Sequence, residues 1–187
     1  MIALFFTVLC LIAGSHSASL GCEKLLQPLG QFDSQNILGK LAFVAGSTKD
    51  PRGVDDMKTI DSATVYFHKS WFTHVSRIND SCQYHPGNTS LDDHHRIVLK
   101  LGRFNFTGLF LHAPCPDCAV FSWNIASFNY TTTNLFLLSK RRELEQEEME
   151  EFRAQVECLD LPPIIVMDPS KELCPEKAET EVPEEKH

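Results

Sequence analysis

The chain has 187 residues, a formal charge of −8 at neutral pH and 43% hydrophobic residues. That length supports one substantial core. The acidic balance argues against nucleic acid or an anionic membrane as partner, because both need basic surface against their phosphates.

Met1 to Gly14 is an uncharged apolar run, followed by the small residues Ser15, Ser17 and Ala18. A membrane-spanning helix needs about 20 apolar residues, so this shorter run reads as a cleaved secretory signal over residues 1–18. Its removal takes Cys10 and leaves six cysteines: Cys22, Cys82, Cys115, Cys118, Cys158 and Cys174. An even set in a secreted chain reads as a disulfide framework whose connectivity spacing does not fix. Sequons at Asn79, Asn88, Asn105 and Asn129 add to an extracellular, N-glycosylated reading.

Cys22 to Asn36 carries Pro28 and Gly30 and reads as an extended arm. Ile37 to Gly46 is the first strand, with Gly39 permitting a bend at its start. Ser47 to Thr59 is polar and contains Asp50-Pro51-Arg52-Gly53, which reads as a long loop. Ser62 to His68 alternates, placing Ala63, Val65 and Phe67 on one face and Thr64, Tyr66 and His68 on the other. Trp71 to Ile78 and Cys82 to Tyr84 read as strands, with a turn from Pro86 to Asp93.

From Ile97 to Leu138 the same pattern recurs. Ile97–Leu101, Phe104–His112, Ala119–Ile125 and Leu135–Leu138 are β-branched or aromatic runs, separated by Gly-, Pro-, Asp- and Asn-containing breaks. Such a series is an antiparallel meander. It has to bury one face or close on itself, since open edges invite unwanted pairing. Within Ala119–Ile125, alternation puts Phe121, Trp123 and Ile125 together.

After Ser139 the period changes. Leu144, Met149, Phe152, Val156 and Leu159 follow helical spacing, with Ser139 as the expected cap of a helix running to Cys158. This helix lies outside the sheet. Pro162-Pro163 opens an extended piece to Cys174, and residues 176–187 form an acidic tail read as disordered.

No Ser/His/Asp arrangement, Gly-rich phosphate loop or metal-ligand cluster appears, so neither an enzyme nor a cofactor or metal is expected. Cys115-Pro116-Asp117-Cys118 has thioredoxin-like spacing without the strand-to-helix context, and reads as a local disulfide across a hairpin turn. The adjacent His94-His95 would point to opposite faces of a strand and cannot share a metal. With His85 and His112, they read as solvated histidines.

An arm, a Gly-led first strand, seven further strands, one late helix and a final extended segment are the order of a lipocalin. The run Phe152-Arg153-Ala154-Gln155-Val156-Glu157-Cys158-Leu159 followed by Cys174-Pro175-Glu176 resembles the alpha-1-acid glycoprotein (orosomucoid) branch. So do Ile37-Leu38-Gly39-Lys40 and Ala63 to Phe67. Apolipoprotein M and the toxin-binding lipocalins of fish are similar. The resemblance implies an all-β domain over residues 19–175: an eight-stranded antiparallel up-and-down barrel with one C-terminal α-helix packed outside. It also implies pairing of Cys22 with Cys158 and Cys82 with Cys174, leaving Cys115 for Cys118. The family's Gly-x-Trp has Leu41 at its third position here, so a leucine is expected to plug the floor, with Arg141 or Arg142 near the usual arginine's place.

By the same resemblance Phe43, Tyr66, His68, Phe136 and Leu138 join Phe121 and Trp123 around a ligand cavity. The implied function is extracellular carriage of a small lipophilic or amphiphilic compound by a monomer, with immune modulation as a further expectation; the alternative is an apolipoprotein M-like lipoprotein-associated lipid binder or a receptor-interaction protein, a filled barrel that engages its partner through glycans and loops. One lipocalin branch is an isomerase that uses a cysteine thiolate. Here every mature cysteine can be assigned to a disulfide, which leaves no nucleophile.

Overall fold

A computed structural model describes residues 21–29, 37–68, 71–88, 90–93, 96–101 and 104–177. The expected signal at 1–18, the His94-His95 pair and residues 178–187 of the tail lie outside the described residues.

Ten strands form one antiparallel sheet: β1 (Gly39–Thr48), β2 (Ser62–Phe67), β3 (Trp71–Ile78), β4 (Ser81–Asn88), β5 (Ser90–Leu91), β6 (Ile97–Leu101), β7 (Phe104–Leu111), β8 (Cys118–Ser127), β9 (Tyr130–Ser139) and β10 (Ile165–Val166). The order is β4-β3-β2-β1-β9-β8-β7-β6-β5, with β10 added to β1. Neighbours in space are neighbours in sequence, except where β1 pairs with β9 and rolls the sheet into a nearly closed barrel. β5 continues β4 after one residue, so eight long strands form the wall and the two-residue β10 is an addition.

β1 makes the closure by serving three partners. Gly39 to Ala42 pair with β2, Ala42 to Thr48 with β9, and Ala45 and Gly46 with β10. A bulge between Phe43 and Ala45 bends the strand there. Two apolar clusters result. Leu41, Phe43, Ala63, Val65, Phe67, Ile97, Phe110 and Leu138 face the interior. Val44, Ala45, Leu111, Val120, Leu135 and Leu137 face outward, where Phe152 and Val156 of helix α3 (Gln146–Cys158) cover them. No helix among the described residues is long and apolar enough to cross a membrane.

Three local readings are corrected. The polar stretch after β1 is a helix, α2 (Pro51–Thr59), because the Asp50 carboxylate accepts from the Arg52 N–H at 3.2 Å and Pro51 occupies the first turn. α3 begins after Glu145 and not at Ser139. Ser139 is still in β9, paired with Ala42 and Cys118, and the Glu145 N–H donates to the Glu148 carboxylate at 2.8 Å. β4 runs through Pro86 to Asn88 where a turn was expected; it pairs only with β3, and an edge strand tolerates the missing N–H.

The arm starts as a short helix, α1 (Cys22–Leu25), before Pro28 bridges to Leu111. It is fastened to α3 twice. Cys22 is bonded to Cys158, and the fully buried Gln155 amide donates to the carbonyls of Leu25 and His112, both at 2.7 Å. Cys82–Cys174 ties the C-terminal strap to β4, and Cys115–Cys118 closes the β7–β8 connection. Arg141 joins that connection to α3, with its guanidinium donating to Asp117 at 2.7 and 2.9 Å and to Glu148 at 2.8 Å. Arg142 donates to the carbonyls of Asp168 and Lys171. Leu41 is 1% exposed and belongs to the interior cluster with Ile37, Ala119 and Leu138.

Candidate ligand-binding cavity

The interior is hollow. A cavity of about 460 Å³ lies inside the barrel, within the roughly 300–1,000 Å³ usual for small-molecule sites. Its wall is built by alternation: each strand gives it every second side chain and sends the others outward. β2 contributes Ala63, Val65 and Phe67, β3 Phe72 and His74, β6 Ile97 and Leu99, and β8 Phe121 and Trp123. Met57 and Ile60, on and just after α2, cover it from the loop between β1 and β2, and Met167 joins them.

Aromatic rings run along one side in sequence. Phe67 and Phe110 have centroids 5.9 Å apart, Phe110 and Phe121 4.8 Å, Phe121 and Trp123 5.2 Å, and Trp123 and Phe106 5.6 Å. These tilted, edge-on and stacked contacts add to the burial of each ring. Gly108 makes the arrangement sterically available, because a Cβ there would stand 2.4 Å from Phe121 and 2.5 Å from Trp123. Gly108→Val therefore forces both rings off their positions. It is expected to cost about 1–3 kcal/mol of stability by overpacking, read by urea denaturation, and to shift the Trp123 emission.

Of the residues expected around the cavity, Phe43, Phe121, Trp123, Phe136 and Leu138 line it. Tyr66 and His68 do not. Ala63, Val65 and Phe67 point inward, so Thr64 and Tyr66 point outward, and Tyr66 finds its polar partner on the C-terminal strap. The Tyr66 hydroxyl donates to the Cys174 carbonyl at 3.2 Å, and burial, then Glu176, pushes its pKa up. His68 stacks on Trp71 at 3.5 Å, with Nε2 lying 3.4 Å from the Glu176 carboxylate.

Sequence reading missed the polar groups that do face the cavity, His74 and His85. They are direct partners across β3 and β4, with ring centroids 6.0 Å apart. Burial, and secondarily the neighbouring His85, pushes the His74 pKa down to about 4, so its ring is neutral at physiological pH. The alternation Phe72-His74 carried the signal for one of them. Reading Pro86 as a turn hid the other.

The four sequon asparagines, Asn79, Asn88, Asn105 and Asn129, are all exposed. Cys115, Asp117 and Cys118 bring three potential metal ligands within 4.8 Å of one another, but the two sulfurs are bonded together and the carboxylate is held by Arg141. This cluster is a staple for the turn. All six cysteines among the described residues are in disulfides, so none presents a thiolate to the cavity.

Solved structures share this architecture. Lipocalin 12 from rat epididymis aligns with a TM-score of 0.66 at 11% identity, covering 79% of this chain and 91% of that one. The fold is the lipocalin fold. The siderocalin Ex-FABP, described as functioning through dual ligand specificities, aligns with a TM-score of 0.58 at 14% identity, covering 77% of this chain and 97% of its own. No family model and no curated protein matches the sequence. Where the lipocalin pattern expects a tryptophan this chain has Leu41, which is buried, and Arg141 is engaged with Asp117 and Glu148.

Proposed function

We propose that this lipocalin-fold chain is a secreted, N-glycosylated carrier that holds a small lipophilic or amphiphilic compound inside the barrel. The observation that carries the reading is the cavity of about 460 Å³ with a wall of aliphatic and aromatic side chains. Burying an apolar ligand there gains roughly 25 cal/mol for each Å² removed from water, without a folding cost if the site is preformed. Phe43, Phe121, Trp123, Phe136 and Leu138 are the contact residues. The terminal cysteine pattern and the exposed sequons support an extracellular role of the alpha-1-acid glycoprotein kind, in which the bound compound is transported in body fluid.

An environment-sensitive apolar dye tests the proposal. Saturable binding that hydrophobic compounds displace, with quenching or enhancement of Trp123 fluorescence, is the expected result. Leu99→Trp places a larger ring into the hollow from β6 and is expected to weaken dye binding by about tenfold or more, as the volume for the ligand shrinks. Absence of a saturable site in the unaltered protein would overturn the carrier reading. Mass spectrometry of protein from its natural source, before and after deglycosylation, tests the glycan assignment at the four asparagines.

A further inference from the structure

We propose that the cavity has a lateral passage between β2 and β10, closed by Met57, Ile60 and Met167, and that a carried compound enters and leaves through it. The inference rests on the carrier reading and concerns how that same cavity is reached.

The barrel wall is interrupted at this place. β1 pairs with β2 only from Gly39 to Ala42, which leaves Ser62 and Ala63 at the start of β2 outside that ladder. Beyond the bulge, the edge of β1 opposite β9 is taken by β10, through Ala45 with Val166 and Gly46 with Ile165, and the Met167 N–H donates to the Val44 carbonyl at 2.9 Å. No ladder joins β10 to β2 among the described residues. Side chains therefore close the wall there in place of backbone hydrogen bonds.

A second hollow, of about 300 Å³, lies on the outer side of the break, with Lys58, Asp61, Val166 and Lys171 among its walls. Met57, Ile60 and Met167 line this hollow and the inner cavity alike. These three side chains are the partition between the two.

The partition has a fixed side and a yielding side. The strap that carries Met167 is held by Arg142 on the Asp168 and Lys171 carbonyls, by the Ser62 hydroxyl and Arg77 on the Glu172 carbonyl at 2.6 and 2.9 Å, and by Cys82–Cys174. α2 carries Met57 and buries nothing else. An element with so few buried contacts opens locally at low cost. Methionine is unbranched and turns readily about its single bonds, so the plug can move while the strands stay in place. On the outside, the Lys171 ammonium stands 3.8 Å from the Asp61 carboxylate and spans the gap from the strap to the start of β2. An ion pair this exposed is a weak latch.

Stopped-flow mixing of the full chain with the apolar dye tests the passage. Val166→Cys puts one free thiol on the outer wall, at a half-exposed position that does not line the inner cavity. Coupling it to a bulky maleimide is expected to slow association and dissociation together by about tenfold relative to the uncoupled variant, with the equilibrium affinity unchanged. Lys171→Glu turns the latch into repulsion against Asp61 and is expected to speed both rates by up to about fivefold, with Lys171→Ala in between. Met167→Ala removes part of the plug and should speed association as well as dissociation, whereas a merely lost contact with the bound dye would raise dissociation alone.

Rates that ignore the maleimide overturn the passage, since the compound then reaches the cavity elsewhere. Slower association with dissociation unchanged overturns it as well, because the label is then a competitor for the dye and not an obstacle in its path. Absence of saturable dye binding in the unaltered protein overturns instead the carrier reading beneath it.

Discussion

Replacing Cys22 and Cys158 with serine is expected to lower stability by roughly 5 kcal/mol on the loop-entropy model, the largest effect of any change considered. The two residues are 136 positions apart, so the bond closes nearly the whole domain into one loop. Without it the unfolded chain regains that freedom, while the folded chain keeps only the non-covalent hold on the arm. That hold consists of buried Leu25, the Gln155 amide on two carbonyls and the bridge from Pro28 to Leu111. Urea denaturation followed by far-ultraviolet circular dichroism should show a lower midpoint with β structure retained in the absence of urea. The other pairs give an internal scale. Cys82–Cys174 closes a separation of 92 and should cost slightly less, whereas Cys115–Cys118, with a separation of 3, should cost far less. Equal losses for the longest and shortest loops would refute the loop-length account.

How much of this was legible depends on what flanks each strand. β8 and β9 lie in the meander, where turn signals fix the start of each strand and alternation then assigns the faces. Phe121 and Trp123 therefore went to the same side as the cavity, and Val120, under α3, to the other. α3 showed its inward stripe in Phe152 and Val156, because an exposed opposite face makes the period visible. β2 is different. Every residue from Ser62 to Phe67 is buried, one face by the hollow and the other by the strap that Cys82 and Cys174 secure. Alternation separates the two faces of such a strand but gives no sign of which one is inside, and it is the family resemblance alone that sets Tyr66 with the ligand.

Two further misreadings have local causes. α2 is capped by an Asp-Pro pair that also reads as a turn, contains Gly53, and buries only Met57, so almost no apolar period reaches the sequence. β4 passes through Pro86 and Gly87, strong turn residues that an unpaired edge accommodates. With the register hidden there, the sequence does not show the pairing of His74 with His85, the titratable groups of the wall among the described residues.

That pair also governs acid sensitivity. The His74 pKa lies at about 4 in the folded chain against an ordinary 6.5, with burial as the larger cause and His85 as the second. As pH falls from neutral, the unfolded chain takes up the proton first. The stabilising contribution is therefore complete above 6.5 and is lost progressively as pH falls toward 4. Applied to this interval, linkage gives a loss of about 3 kcal/mol. The carboxylates of Asp117 and Glu148, held low chiefly by Arg141, lose their contribution at more acidic pH, as they protonate below their ordinary values of 3.8 and 4.5. Urea midpoints measured across the window should fall for the unaltered protein and stay nearly level for His74→Phe. A steep fall retained in His74→Phe would place the acid-sensitive group elsewhere and remove His74 from the account.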